Sequence, residues 1–157
     1  MTVTEYRRAE YLISTDKAKL DIAMIHDYLS RRSYWAEGRP LAVVEKSIQH
    51  SLCYGRYAGA QQVGFARVVT DYATFAWLCD VFVLESHRAM GLGKWLIECV
   101  TAHPELRDLG VFILATRDAH GLYRRYGGFE EFRAPERWMA RPRPDRLPAT
   151  ETGTRES

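Results

Sequence analysis

The chain has 157 residues, 46% of them hydrophobic and 27% charged, which describes one ordinary domain able to bury about 70% of its unfolded surface. With 22 basic against 20 acidic residues the net charge is only +2, so no global field drives it onto nucleic acid or an anionic membrane. Cys53, Cys79 and Cys99 form an odd count with no CxxC spacing and no paired histidines nearby, which argues against a disulfide scaffold and a zinc knuckle and for buried free thiols.

No apolar run approaches the ~20 residues that span a bilayer, and MTVTEYRRAEYL lacks a stretch of signal-peptide length, so the expected location is the cytoplasm. Tyr11 to Ser14 reads as a short strand. Asp16 is placed to cap a helix ending near Arg31 whose Ile22, Ile25 and Leu29 recur on one face. A loop with two aromatics, Tyr34 and Trp35, leads to a second helix opened by Pro40, with Leu41, Val44, Ile48 and Leu52 as its stripe.

From Leu52 the apolar period changes to two. Strands over 52 to 58, 62 to 70 and 74 to 83, with turns at Gly59 and at Asp71-Tyr72, make an antiparallel meander. The last of them, FAWLCDVFV, is apolar at every position but Asp80 and reads as a strand covered on both faces. A glycine-rich turn, HRAMGLGKW, precedes a helix with Leu92, Leu96 and Cys99 on one face, stopped at His103-Pro104. A strand follows over 111 to 116, then a helix over 119 to 126 closed by Gly127-Gly128. Phe129 to Phe132 and the segment around Trp138 and Met139 are candidate last strands. The expected organisation is one domain over 1 to 140, followed by a disordered polar tail, 141 to 157, with three prolines.

Strand, glycine turn and helix in that order present backbone N–H groups at a positive helix end, an anion site. The Walker loop fails here, because its first glycine would be Arg88 and its Ser or Thr would be Trp95. The dinucleotide fingerprint fails too, since Leu96 stands where its third glycine belongs. What remains is RxxGxG, Arg88-Ala89-Met90-Gly91-Leu92-Gly93, with DVFV before it and ATRDAHGLYRRYGGF after it.

From about Val63 to Phe129 these motifs resemble the GNAT superfamily of acyl-CoA-dependent N-acetyltransferases, in a bacterial-type branch acting on small molecules. The resemblance implies an α+β fold of three layers, α/β/α. Its mostly antiparallel sheet of six or seven strands would be flanked by about four helices and splayed between the fourth strand (74 to 83) and the fifth (111 to 116). It implies acetyl-CoA as co-substrate, no metal, and a small-molecule amine as acceptor. By that match the diphosphate would lie on N–H groups of Arg88, Ala89, Met90, Gly91, Leu92, Gly93 and Lys94. The pantetheine arm would bond the free edge at Val81, Phe82 and Val83 as an added strand does, where a backbone N–H would also support the oxyanion.

Attack by an amine needs a base, since an alkylamine is protonated at neutral pH. Asp80 is the candidate, on the expectation that burial raises its pKa; pairing with Arg67 of the neighbouring strand is the alternative. Glu85 is the fallback, at a solvated rim. The leaving thiolate needs an acid, and Tyr123 in GLYRRYGGF is similar to the tyrosine of the family's LYxxxGF motif, with one glycine more; Tyr126 is its substitute. Arg117-Asp118 stands where the family often carries Asn. Arg124 and Arg125 are candidates for a 3′-phosphate or plain surface residues, and His120 for a site-lining group or an exposed one. Cys79 reads as core, against an acetyl-cysteine route.

Tyr34, Trp35, Tyr72 and Trp77 are the expected acceptor lining, able to stack on a ring or surround a cation. Two rivals stand beside the enzyme: an acyl-CoA-binding regulatory module without turnover, and a nucleotide-binding enzyme using the same loop. A monomer or homodimer fits equally.

Overall fold

In the computed structural model, residues 2–142 are described, and they fall into two compact units, Met1–Ala115 and a second beginning at Thr116. The segment 143–157, most of the expected tail, lies outside the described residues.

The first unit is built on one sheet of six strands in the order β1 (Glu5–Arg8), β2 (Tyr11–Ser14), β3 (Leu52–Ala58), β4 (Gln61–Thr70), β5 (Phe75–Val83) and β6 (Val111–Leu114). All neighbours are antiparallel except β5 and β6. The meander therefore stands as expected, with one strand added in front. β1 escapes a periodicity search because EYRR half-buries only Tyr6.

Asp16 caps a single turn at Lys17–Lys19, not the helix expected of it. Asp21 takes that role for α1 (Ile22–Arg32), its carboxylate accepting from the Met24 N–H. Helix α2 (Leu41–Gln49) starts after Pro40, whose fixed φ suits a helix entrance. Of its expected stripe Val44 and Ile48 are buried, whereas Leu41 is exposed and Leu52 belongs to β3.

One face of the sheet packs on these two helices, where Ile25, Tyr28, Leu29, Val44 and Ile48 meet Cys53, Phe65 and Phe82. Helix α3 (Leu92–Thr101) occupies the other face. There Trp95 stacks 5.0 Å from the guanidinium of Arg56, whose partner across the ladder, Gly64, precedes Phe65 by one residue. These layers are the α+β arrangement expected.

β5 departs from a plain strand in two ways. Phe82 pairs with Phe65 but Cys79 pairs with Arg67, so Asp80 and Val81 together oppose Ala66 in a bulge with Asp80 at φ +53°. Trp77 is 41% exposed, so the expectation of a strand covered on both faces is corrected at that position.

In the second unit α4 (His120–Gly127) ends on Gly128 at φ +72°, whose N–H, like that of Phe129, turns back to the Tyr123 carbonyl. The two glycines thus divide their roles, Gly127 finishing the helix and Gly128 taking the left-handed cap. The strands expected at Phe129 to Phe132 and around Trp138 and Met139 do not form. Ala134 at φ +54° turns the chain there and brings the Phe132 and Trp138 rings to 4.8 Å, so these apolar side chains are matched across a turn instead of on a ladder.

Candidate functional site

The parallel pairing of β5 with β6 covers only Phe75 to Leu78. Among the described residues no strand partners Cys79 to Val83 on that side, so the edge over Val81, Phe82 and Val83 carries no ladder there, and of its acceptors the Val83 carbonyl is engaged by a side chain. This is the splay between the meander's last strand and the next one. Past it the chain runs through a 3-10 turn, Glu85–Met90, into α3, with Glu85 exposed at the start of that turn.

Gly91 enters α3 at φ +69°, a conformation an L side chain adopts at a cost of about 1–2 kcal/mol. Among the described residues no side chain caps this helix, so the N–H groups at its start, over Leu92 and Gly93, face an outside acceptor. A Cβ built on Gly91 or Gly93 would meet nothing within 4 Å. The turn therefore sets backbone donors beside open space, the arrangement that an anion needs.

Arg88 is not extended into that space. Its Nε donates to the Val83 carbonyl at 2.8 Å and its Nη2 to the Tyr28 hydroxyl. The Tyr28 ring in turn stacks on Phe82, 3.9 Å apart and 7° from parallel. One arginine thus ties the glycine turn to the open end of β5 and to α1.

The bulge aims Asp80 into the helix α1 and α2 side of the sheet, where it is 4% exposed. Its Oδ2 accepts from Arg67 Nε and from Arg39 Nη1, both at 2.8 Å, and its Oδ1 from the Trp35 indole at 2.9 Å. Arg67 reaches on to the Ser51 hydroxyl at 3.0 Å. Burial raises the Asp80 pKa, but the charges of Arg67 and Arg39 and their hydrogen bonds outweigh it, so the carboxyl is held below its ordinary value. The expectation that Asp80 has a raised pKa fitting it as a base is thereby corrected, and its alternative, pairing with Arg67, is what the structure contains.

Of the four aromatics expected at the acceptor, Tyr34 and Trp35 stand together, ring centroids 5.1 Å apart and edge to face, both partly exposed. Trp77 is exposed on β5, three residues before Asp80. Tyr72 does not join them. It sits at φ +61° in the turn between β4 and β5 and lines a cleft of about 290 Å³ with Thr15, Asp16, Lys17, Ser51 and Leu52. Asp71 of the same turn accepts from the N–H groups of Ala73, Thr74 and Phe75.

Tyr123 lies on α4, half-buried and edge-on to Phe129 at 6.1 Å. Arg124 pairs with Glu131, Arg125 lies 5.6 Å over the Tyr126 ring, and Arg117 pairs with Asp118 at 3.9 Å. Burial pushes the thiols of Cys53, Cys79 and Cys99 each up to about 12, which suits packing and not nucleophilic attack. Among the described residues no group of three or more His, Cys, Asp or Glu side chains is arranged to hold a metal ion, and no helix is long and apolar enough to cross a membrane.

Two residues of this site lay outside the sequence reading. Arg39 ends a loop with no periodicity to mark it, and Tyr28 reads as one more apolar face residue of α1. Only the isolated charge of Asp80 in an apolar strand signalled that basic partners had to be near.

The family model described as "Acetyltransferase (GNAT) domain" matches residues 49–131, which spans β3 to α4 and both glycine motifs. The chain belongs to the GNAT acetyltransferase family. It is an acyltransferase enzyme. A Xanthomonas campestris pv. campestris protein described as belonging to the GNAT family is 50% identical, covering 88% of this chain and 96% of its own, with a TM-score of 0.83. A Gibberella zeae relative, named as a candidate acetyltransferase, is 29% identical over 82% of this chain and 84% of its own. The aminoglycoside N-acetyltransferase AAC(6')-Iy, solved in complex with CoA, shares the fold at 20% identity and a TM-score of 0.60, over 87% of this chain and 97% of its own.

Proposed function

We propose that this GNAT enzyme transfers the acetyl group of acetyl-CoA to the nitrogen of a small primary amine, by direct attack while both substrates are bound. The observation that carries the reading is the continuity of two features: an open strand edge at Val81 to Val83 and, past one 3-10 turn, an uncapped helix start whose Gly91 and Gly93 leave room for an anion. Acetyl-CoA supplies an activated thioester carbonyl and a thiolate leaving group. AAC(6')-Iy, of the same fold, is described with a bisubstrate analogue of CoA and acetylneamine, which supports a small amine as the acceptor class.

In this reading the N–H groups over Arg88, Ala89, Met90, Gly91, Leu92, Gly93 and Lys94 hold the diphosphate. The edge at Val81, Phe82 and Val83 aligns the arm and presents an N–H to the carbonyl oxygen as it gains charge. A nitrogen–carbon bond forms as the carbon–sulfur bond breaks. Tyr123 donates its hydroxyl proton to the departing sulfur and recovers one from water. Asp80, ionised and engaged by three donors, positions Trp35 and Arg39 instead of taking the proton, which passes from the amine to water. Supply of acetyl-CoA inside the cell agrees with a cytoplasmic site of action.

Acetyl-CoA at about 100 times its dissociation constant should stabilise the fold by about 2.7 kcal/mol, several degrees in Tm, while ATP and NAD should not. No shift at millimolar acetyl-CoA would overturn the reading, and a shift with ATP or NAD would favour a nucleotide enzyme. Gly93→Leu fills the space at the helix start without a left-handed residue to strain, so it should fold normally yet bind acetyl-CoA at least tenfold more weakly. Tyr28→Phe removes the hydroxyl that holds Arg88, so KM for acetyl-CoA should rise about fivefold with kcat little changed, about 1 kcal/mol of hydrogen-bond energy. A fall in kcat alone would assign Tyr28 to the chemistry.

A further inference from the structure

The cluster around Asp80 is unbalanced. Two guanidinium groups face one carboxylate, and among the described residues no other acidic side chain pairs with either arginine. Arg67 is the inner member, held between Asp80 and Ser51 and 10% exposed at its side chain. Arg39 is the outer one. Its side chain is 20% exposed and makes no hydrogen bond among the described residues other than the one from Nη1 to Asp80. The remaining N–H donors of its planar fork are available, and a fork of that geometry matches a carboxylate.

The surroundings fit a ligand with an apolar body. Trp35 donates to the same Asp80 carboxylate as Arg39, so the indole and the guanidinium are fixed beside each other, with Tyr34 edge-on to Trp35. Asp80 directly precedes Val81 at the open strand edge, so this group stands next to where a thioester aligned on that edge would end. Glu37 of the same loop is exposed, and Asp27 in the middle of α1 is engaged by Arg31 and Arg32. The buried cluster itself, two guanidinium groups on one carboxylate, carries a net positive charge. A positive field disfavours a polycation, lowers the proton affinity of an incoming ammonium and attracts an anion.

We infer that the acceptor is a free amino acid with an apolar or aromatic side chain, its carboxylate received by Arg39 and its body lying on Trp35 and Tyr34. The inference rests on the acetyltransferase reading above and narrows its acceptor. Arg39 is then a specificity-determining residue, and Asp80 holds it in place.

The test compares tryptophan, tryptophanamide and tryptamine, and likewise phenylalanine and leucine with their amides and decarboxylated amines, as acceptors for acetyl-CoA. Thiol release and the mass of the N-acetyl product are the readouts. The carboxylate member should be preferred at least tenfold in kcat/KM. Arg39→Gln should collapse that ratio through KM for the acid, with Arg39→Lys restoring part of it. An equal or lower rate for the acid, or equal losses on all three members in the Arg39→Gln protein, overturns the inference. So does turnover of none of them by protein that binds acetyl-CoA, an outcome that leaves the acetyltransferase reading standing. Absence of acetyl-CoA binding overturns both. Should the Gln variant fold poorly, competition by N-acetyltryptophan but not N-acetyltryptamine in the unmodified protein decides the same point.

Discussion

Tyr123→Phe should lower kcat by a factor of about 10² to 10⁴ while leaving acetyl-CoA binding within twofold. The substitution removes one oxygen and keeps the ring that stands edge-on to Phe129, so helix α4 and its Gly128 cap should be unaffected. A general acid acts on the leaving group and not on ground-state binding, so the loss belongs in kcat. Combining it with Asp80→Asn separates an enzyme from a regulatory module. Loss of transfer with retained coenzyme binding supports catalysis, and unchanged behaviour in every assay supports a binding role. If Tyr126→Phe gives the loss and Tyr123→Phe does not, the acid is the neighbouring tyrosine.

What was legible in the chain was what local rules control. Strands β3, β4 and β5 and helix α3 carry enough apolar residues at the right period to be read within a residue or two. The glycine turn was legible because neither the Walker nor the dinucleotide pattern fits its spacing. The misses have a common cause, which is that a contact outside the segment, near or far along the chain, decides its structure. β1 is a strand because Tyr6 and its neighbours pair with β2, not because EYRR favours one. Phe129 to Phe132 has strand composition, yet a left-handed Ala134 lets Phe132 meet Trp138. At the site, burial of Asp80 was foreseen and its consequence inverted. The sign of its pKa shift is set by Arg39, 41 residues away, and Arg67, 13 residues away.

That pairing governs the largest expected effect on stability. Arg67→Leu leaves Asp80 buried with one arginine fewer and should cost about 3–5 kcal/mol, a fall in Tm of roughly 10 °C for a chain of this length. Arg67→Leu with Asp80→Asn should recover much of the loss, because the penalty is a buried carboxylate short of one of its two arginines more than a lost attraction. The pH dependence gives an independent check. A carboxyl whose pKa is depressed on folding contributes stability above its unfolded value, 3.8, and that contribution is lost as pH falls through the lower folded value. The unmodified protein should therefore lose stability on acidification below about pH 4 more steeply than Asp80→Asn does, measured by urea unfolding at each pH. Identical slopes for the two proteins would mean that the arginines do not hold the Asp80 proton off, which would reopen Asp80 as the base.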